Sequence, residues 1–343
     1  MILVTGATGH IGNVLVRDLL ARGEQVRALV LPGEDLTPLD GLKLEVVVGD
    51  VLDRDALQKA FEGVSLAYHL AGIISIMPGV NEMVQRVNVQ GTRNVLEAAR
   101  LASVKRLVYT SSIHALARVP HGTTIDESIP FDPDNPVGEY DRSKAQATLA
   151  VLEAVQDGLD AVIVCPTGVI GPNDYRGSEM GKLIEECAES KPQLYVEGAY
   201  DFVDVRDVSR GLTLAGEKGQ TGEVYILSGE RITVQGMLDL VEHVTGKHLK
   251  RFKIPMWLAR FITHFTPTYY RLTRQTPRFT PYSLETISSN SEISHAKAHQ
   301  ELGYQPRTLR QSVADTVDWL RWYRQPFANE SLNVSPGLPN AEQ

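Results

Sequence analysis

Two residues four apart carry the clearest chemistry in this 343-residue chain: Tyr140 and Lys144, in the run Tyr140-Asp141-Arg142-Ser143-Lys144. On a helix, residues at i and i+4 share a face, one turn apart. A free phenol keeps its proton to about pH 10 and is a poor base at neutrality. A lysine ammonium a few ångströms away favours the phenolate and pulls that value down. Such a tyrosine can exchange a proton with a hydroxyl or carbonyl oxygen. Ser112 ends the apolar run KRLVYTSS (105–112), where its hydroxyl can bond the same oxygen. Each piece alone is ordinary. A Tyr-xxx-Lys pair occurs on many solvated helix faces, and paired serines often mark a turn.

A second set precedes them. The chain opens MILVT and continues Gly6-Ala7-Thr8-Gly9-His10-Ile11-Gly12. Here glycines at 6, 9 and 12 follow a strand pattern and open a helix pattern. Gly6 suits a tight turn, Gly9 a close approach of pyrophosphate to backbone, and Gly12 close helix–sheet packing. The N–H groups of Thr8 through Gly12 and the helix dipole then hold phosphate. Dinucleotide binding follows. Asp50-Val51 and Leu70-Ala71-Gly72 end two later strand runs, where such a ligand would cross the sheet edge. After the second strand an acidic residue would bond a ribose 2′-OH and an arginine would hold a 2′-phosphate. The sequence has Leu31 there, then Pro32 and Gly33, with Glu34 and Asp35 slightly late. These acids would repel a phosphate, so NAD is favoured over NADP.

The elements that must position these residues alternate. Apolar runs at 1–5, 25–31, 44–49, 66–72, 105–112 and 161–166 enclose helix patterns at 10–22, 53–61, 80–102 and 138–157. Strands alternating with helices argue for α/β architecture and a doubly wound parallel Rossmann sheet. The runs show little polar alternation, which fits strands buried on both faces. After 166 the rhythm breaks, with helix patterns at 178–190, 204–216, 233–245, 255–265, 292–301 and 308–323. The expected division is a nucleotide-binding domain over 1–165, with 204–227 returning to it, a smaller α/β substrate lobe over 166–325, and a flexible tail over 326–343.

Net charge is −8, which disfavours nucleic acid and anionic membranes as partners. Cys165 and Cys187 make no CxxC pair and are expected as reduced, buried thiols. With a strand pattern starting at residue 1 and no apolar run of about 18 residues, the chain reads as cytoplasmic, with no integral membrane segment.

Several stretches together resemble the extended short-chain dehydrogenase/reductase superfamily over roughly residues 1–325. They are TGATGHIG, GDVLD (49–53), YHLAG (68–72), VNVQGTRNVLEAA (87–99), YTSSIHA (109–115), YDRSK (140–144), CPTGVIGP (165–172) and FVDVRDV (202–208). The run from Tyr109 to Lys144 and the closing HQELGYQPRTLRQSVADTVDW resemble the dihydroflavonol reductase and 3β-hydroxysteroid dehydrogenase branch. Nucleotide-sugar epimerases and dehydratases are the nearby alternative. The resemblance implies an NAD(P)-dependent oxidoreductase acting on a hydroxyl or carbonyl of a small or apolar molecule. It implies Ser112, with Ser111 as the alternative, Tyr140 as acid/base, and Lys144 as its partner and holder of the nicotinamide ribose. Pro166, Thr167 and Val169 would lie beside the nicotinamide, and Asn88 near the active site. Helices 80–102 and 138–157 resemble those that pair in family homodimers. Two positions depart from the pattern. Leu31 stands where NADP-dependent relatives carry arginine, and Cys165 where an arginine often precedes Pro-Thr. A non-catalytic NAD(P)-binding sensor on the same fold is the competing class.

His114, two residues past Ser112, is a candidate substrate contact or a plain loop histidine. His295 and His299 have a metal-capable spacing, yet only Glu292 stands near them, so a solvated face and no metal site are expected. The aromatic, basic stretch 255–282 suits a lid over an apolar substrate, a helix touching membrane, or packing on the core.

Overall fold

The computed structural model describes residues 1–77, 79–273 and 280–324, with 267–273 as backbone alone. The expected tail and, from the aromatic, basic stretch, residues 274–279 and the side chains of 267–273 lie outside the described residues.

Seven strands form one parallel sheet: β1 (Ile2–Thr5), β2 (Val26–Val30), β3 (Glu45–Val48), β4 (Leu66–His69), β5 (Arg106–Thr110), β6 (Ala161–Pro166) and β10 (Val224–Leu227). Their order is β10-β6-β5-β4-β1-β2-β3. This is the doubly wound Rossmann arrangement. The winding reverses between β1 and β4, and a crevice opens there at the carboxyl ends of the strands. Helices α2 (Arg54–Phe61), α4 (Thr92–Leu101) and α5 (Glu139–Gln156) cover one face, sharing a core of Leu57, Phe61, Val95, Leu107 and Val151. Helices α1 (His10–Ala21) and α7 (Val205–Lys218) cover the other, around Leu15, Leu19, Val208 and Leu212. Strand β3 departs from the expected two-sided burial: it is an edge, and Val46 and Val48 are exposed.

The helix expected over 80–102 is broken in character. It starts as α3 (Glu82–Gln85), widens to a π-turn over Arg86–Gly91 and tightens again into α4. The widening carries Asn88, whose side chain leaves the helix face to bond backbone elsewhere. Such π-turns recur at functional sites.

Beyond β6 the chain builds two small sheets. β7 (Gly168–Ile170), β9 (Ala199–Asp204) and β11 (Glu230–Thr233) form one, and β8 (Gln193–Tyr195) with β12 (Arg251–Lys253) the other. Helices α6 (Glu179–Ala188), α8 (Val234–Thr245) and α11 (Leu309–Arg324) enclose a third core around Ile184, Leu238, Val241 and Val313. Helix α9 runs from Met256 to Thr273, longer than its apolar pattern. Helix α10 (Pro281–Ser288) has no sequence expectation behind it, but Thr280 and Ser283 cap it reciprocally. The helix expected over 292–301 starts late: Ile293 bridges to Ile125 in extended form, and the helical stretch runs from Ala296 through Leu302, widening to a π-turn from Ala298, before Gly303 ends it at φ +76°. Among the described residues no helix is long and apolar enough to cross a membrane.

Candidate active site

The glycine turn fits a phosphate cradle. Gly6 has φ +69°, and a Cβ there would lie 2.8 Å from the Ala71 nitrogen. At Gly12 a Cβ would lie 2.1 Å from the Gly6 carbonyl oxygen, so only glycine lets α1 start this close to β1. A Cβ on Gly9 meets only that same carbonyl, at 3.2 Å, and its other side is open. The α1 N-terminus has no side-chain cap and no acid in its first turn, so its N–H groups and dipole face the crevice. His10 Nε2 bonds the Pro172 carbonyl at 3.0 Å, and Asn13 Nδ2 donates to the Asn173 carbonyl at 3.1 Å, which ties the loop after β7 across the turn. Ile11 is half-buried in the core beside α1. A dinucleotide pyrophosphate is the group these residues fit.

Glu34 lies elsewhere than its place in the sequence suggests. Gly33, at φ +74°, turns the chain after β2 so that Glu34 folds back. Its carboxylate accepts from the Leu31 nitrogen at 2.9 Å and from Thr8 Oγ1 at 2.7 Å. Glu34 thus occupies the strand end where a ribose hydroxyl would be read, while the Leu31 side chain is 47% exposed. Arg176, from the loop after β7, pairs with Glu34 and donates to Thr8 Oγ1 at 2.6 Å. No sequence signal joined residues 142 positions apart. Along the same edge, the half-buried Asp50 accepts from Leu52 N at 2.9 Å, and Val51 is buried.

Ser112, Tyr140 and Lys144 converge at the end of β5. Gly138 opens α5 with an extended backbone and no side-chain cap, which sets Tyr140 and Lys144 on its first turns against β5. The Ser112 hydroxyl accepts from the His114 nitrogen at 3.2 Å and lies near enough to Tyr140 to pull its phenol down. Ser111 points the other way, into α5, 2.6 Å from Thr148 Oγ1. Lys144 Nζ donates to the Thr110 carbonyl at 2.8 Å and lies 5.2 Å from the Tyr109 ring centre. A Cβ on Gly72 would meet Asn88 Oδ1 at 3.1 Å and Lys144 Nζ at 3.5 Å, so glycine lets this segment pass close to the buried Lys144. Burial pushes the Tyr140 phenol up to about 12, opposed by the Ser112 hydrogen bond. Burial pushes the Lys144 ammonium down to about 8. The expected depression of Tyr140 by Lys144 does not register: desolvation dominates, only Ser112 lowers the phenol, and Tyr140 keeps its proton at neutral pH.

Asn88 supports this corner. It donates to the Ile73 carbonyl and to Ser143 Oγ, both at 2.9 Å, and accepts from Ile73 N at 2.7 Å. It fixes the segment after Gly72 to α5. Leu70 and Ala71 donate their nitrogens to Thr5 Oγ1, each at 3.2 Å. Pro166 ends β6, Thr167 Oγ1 donates to the buried Asp201 at 2.6 Å, and Val169 sits half-buried within β7.

His114 is no plain loop histidine. Its Nε2 lies 2.7 Å from the Tyr200 hydroxyl, and its ring stacks on Tyr200 at 5.8 Å and meets Tyr140 edge-on at 6.2 Å. Burial holds it down at about 4, hence neutral. Below it Asp141, fully enclosed, accepts from Tyr282 at 2.6 Å and from Arg118 at 3.0 Å. A cavity of about 230 Å³ at His114 and Tyr200 has an aliphatic side of Leu116, Val119, Ile125 and Ile293 and a polar side that includes Arg118, Glu285 and Asn290. Asp141, Arg118, Tyr200 and Tyr282 escape sequence reading because three distant segments bring them together.

Of the expected solvated face, His299 is exposed and His295 is half-buried. His295 Nδ1 lies 2.8 Å from Ser228 Oγ, and His299 Nδ1 lies 3.0 Å from the Tyr304 carbonyl. Cys165 and Cys187 are both buried and unpaired.

Comparison with known proteins agrees with this geometry. Residues 2–228 match the NAD dependent epimerase/dehydratase family. The chain is 40% identical to sterol demethylase protein B of Methylococcus capsulatus over 93% of this chain and 98% of that one. It is 29% identical to a 3 beta-hydroxysteroid dehydrogenase/Delta 5-->4-isomerase of Mycobacterium tuberculosis, over 96% and 93%. The crystal structure of gox2253 superposes with a TM-score of 0.83 at 34% identity, covering 94% of this chain and 98% of that one. The chain belongs to the NAD dependent epimerase/dehydratase family, within the extended short-chain dehydrogenase/reductase superfamily.

Proposed function

We propose that the protein is an NAD-dependent oxidoreductase moving a hydride between the nicotinamide and a hydroxyl or carbonyl carbon of an apolar substrate. The arrangement that carries this is Ser112 close to the Tyr140 phenol, Lys144 one turn further along α5, and the glycine turn at the same carboxyl edge of the parallel sheet. A nicotinamide bound there supplies or accepts hydride. The chain's residues handle the oxygen. Ser112 orients it. Tyr140, protonated in the free protein, donates to it as a carbonyl is reduced, or takes the proton back in the reverse direction. Lys144 places its positive charge beside the phenolate left behind and is positioned to hold the nicotinamide ribose. Glu34 would accept the adenosine 2′-OH and repel a 2′-phosphate, which favours NAD.

An apolar substrate is supported by the aliphatic walls next to His114 and by Arg118. That guanidinium lines the same cavity and is held by Asp141 and by Ser289 Oγ at 2.9 Å, so it is not free to take a sugar diphosphate. The names of the sterol and hydroxysteroid relatives point the same way. The test follows NADH absorbance with a panel of ketones, steroid ketones included, and product formation from UDP-sugars. Turnover of apolar ketones is expected. Conversion of UDP-sugars alone, or tight NADH binding with no turnover of either set, would overturn the proposal in favour of an epimerase or a sensor.

A further inference from the structure

Helix α9 is inside out. Its inward side is Ala259 and Thr263, both buried, set on a small cluster of Val196, Leu284 and Ile287. Its outward side carries Trp257, Phe261 and Phe265, at i, i+4 and i+8, exposed by 70%, 63% and 58%. Ile262 is exposed beside this stripe on one flank, with Arg260 and His264 on the other. Phe252 and Leu194, cross-strand partners in β12 and β8 at the foot of the helix, are exposed as well. A contiguous apolar face of this kind marks an interaction surface.

Charge says what it meets. From Lys247 to Leu284 the sequence has no Asp or Glu and eight Lys or Arg, in a chain whose net charge is −8. The anionic character of the whole chain is therefore reversed around α9. Arg251 pairs with Asp239 and Glu242 and Lys253 with Glu197, so among the described residues Lys247, Lys250 and Arg260 carry the reversal. Two copies meeting through this face would oppose like charges. The aromatic stripe stands on a convex helix, which suits a planar apolar medium better than a protein groove. Outward Trp and Phe with flanking cations are the composition of a helix lying in the plane of an anionic bilayer.

We propose that α9 docks the protein on an anionic lipid surface as a peripheral contact. A cavity of about 610 Å³ opens at its foot, lined by Met256, Arg260, Tyr195 and Ile287. It shares His121, Ser288 and Ser289 with the cavity at His114. Docking would set this opening toward the lipid, a route for an apolar substrate. The route rests on the function proposed above; the docking does not.

The test is co-sedimentation of the full chain with phosphatidylcholine vesicles, with and without phosphatidylglycerol. Binding to the anionic vesicles only is expected, weakening as salt is raised. The variant W257S/F261S/F265S should lose more than about tenfold in partitioning, since three exposed rings leave the contact. The variant K247E/K250E should also bind more weakly, with the stripe intact. Unchanged thermal melting and NADH binding would show that both variants fold. A wild-type protein that stays in the supernatant with anionic vesicles overturns the proposal. So does a serine variant that binds as well as wild type. Self-association lost in the serine variant, without vesicle binding, would assign the face to a second copy and also overturn it.

Discussion

At the scale of single residues, the two serines at the end of β5 have opposite duties although they are neighbours. Ser112 faces Tyr140 and Ser111 faces Thr148. Ser112→Ala should lower kcat by about 10- to 100-fold, the loss of one hydrogen bond to a charged or developing-charge oxygen. Ser111→Ala should leave kcat near wild type and lower Tm, because it breaks a buried hydroxyl pair. Lys144 gives a pH signature. Its ammonium, about 8 in the fold against 10.5 in the unfolded chain, is charged in both states below pH 8, so burial counts fully against folding there. Between those two values the folded chain has already released the proton while the unfolded chain retains it, and stability rises with pH. The Tm of Lys144→Met minus that of wild type should therefore shrink from pH 8 to 10.5. A constant difference would contradict the buried-ammonium account. For cofactor choice, Glu34→Ala should weaken NADH binding about tenfold. NADPH binding should be unchanged or tighter, as titration of each nucleotide would show.

At the scale of elements, the glycine turn is the tightest joint. Gly12→Ala would put a methyl into the Gly6 carbonyl, at 2.1 Å from its oxygen. It should cost about 1–3 kcal/mol by overpacking and abolish measurable NADH binding, because α1 must move off the crevice. Thermal melting and nucleotide titration read these separately. What sequence reveals also divides by element. The strands of the main sheet are apolar runs, and the turn and Tyr-xxx-Lys spacing are local, so both are visible without coordinates. The π-turn at Arg86–Gly91 is not, because it answers to Asn88 reaching Ile73 and Ser143 rather than to its own periodicity. Strands β7, β8, β9, β11 and β12 are three to six residues long, too short for a period to register. Glu34 reads as misplaced by three positions until the turn at Gly33 folds it back.

At the scale of the molecule, the proposed catalytic corner is built from the first half of the chain and closed by the second. Arg176 reaches Glu34, Tyr200 meets His114, and Tyr282 holds Asp141. These contacts explain why the chemistry is legible in residues 1–165 and its substrate is not: the walls come from segments whose meeting depends on the whole fold. The pairing of α4 and α5 across a homodimer stays a proposal, open to light scattering. The central claim is that Tyr140 is the proton donor at a hydride-transfer site. It is tested most directly by single-turnover oxidation of bound NADH with an apolar ketone, in wild type and Tyr140→Phe. The expected result is a rate about 10²–10⁴-fold lower in the variant with NADH affinity unchanged. Equal rates in the two proteins would contradict it.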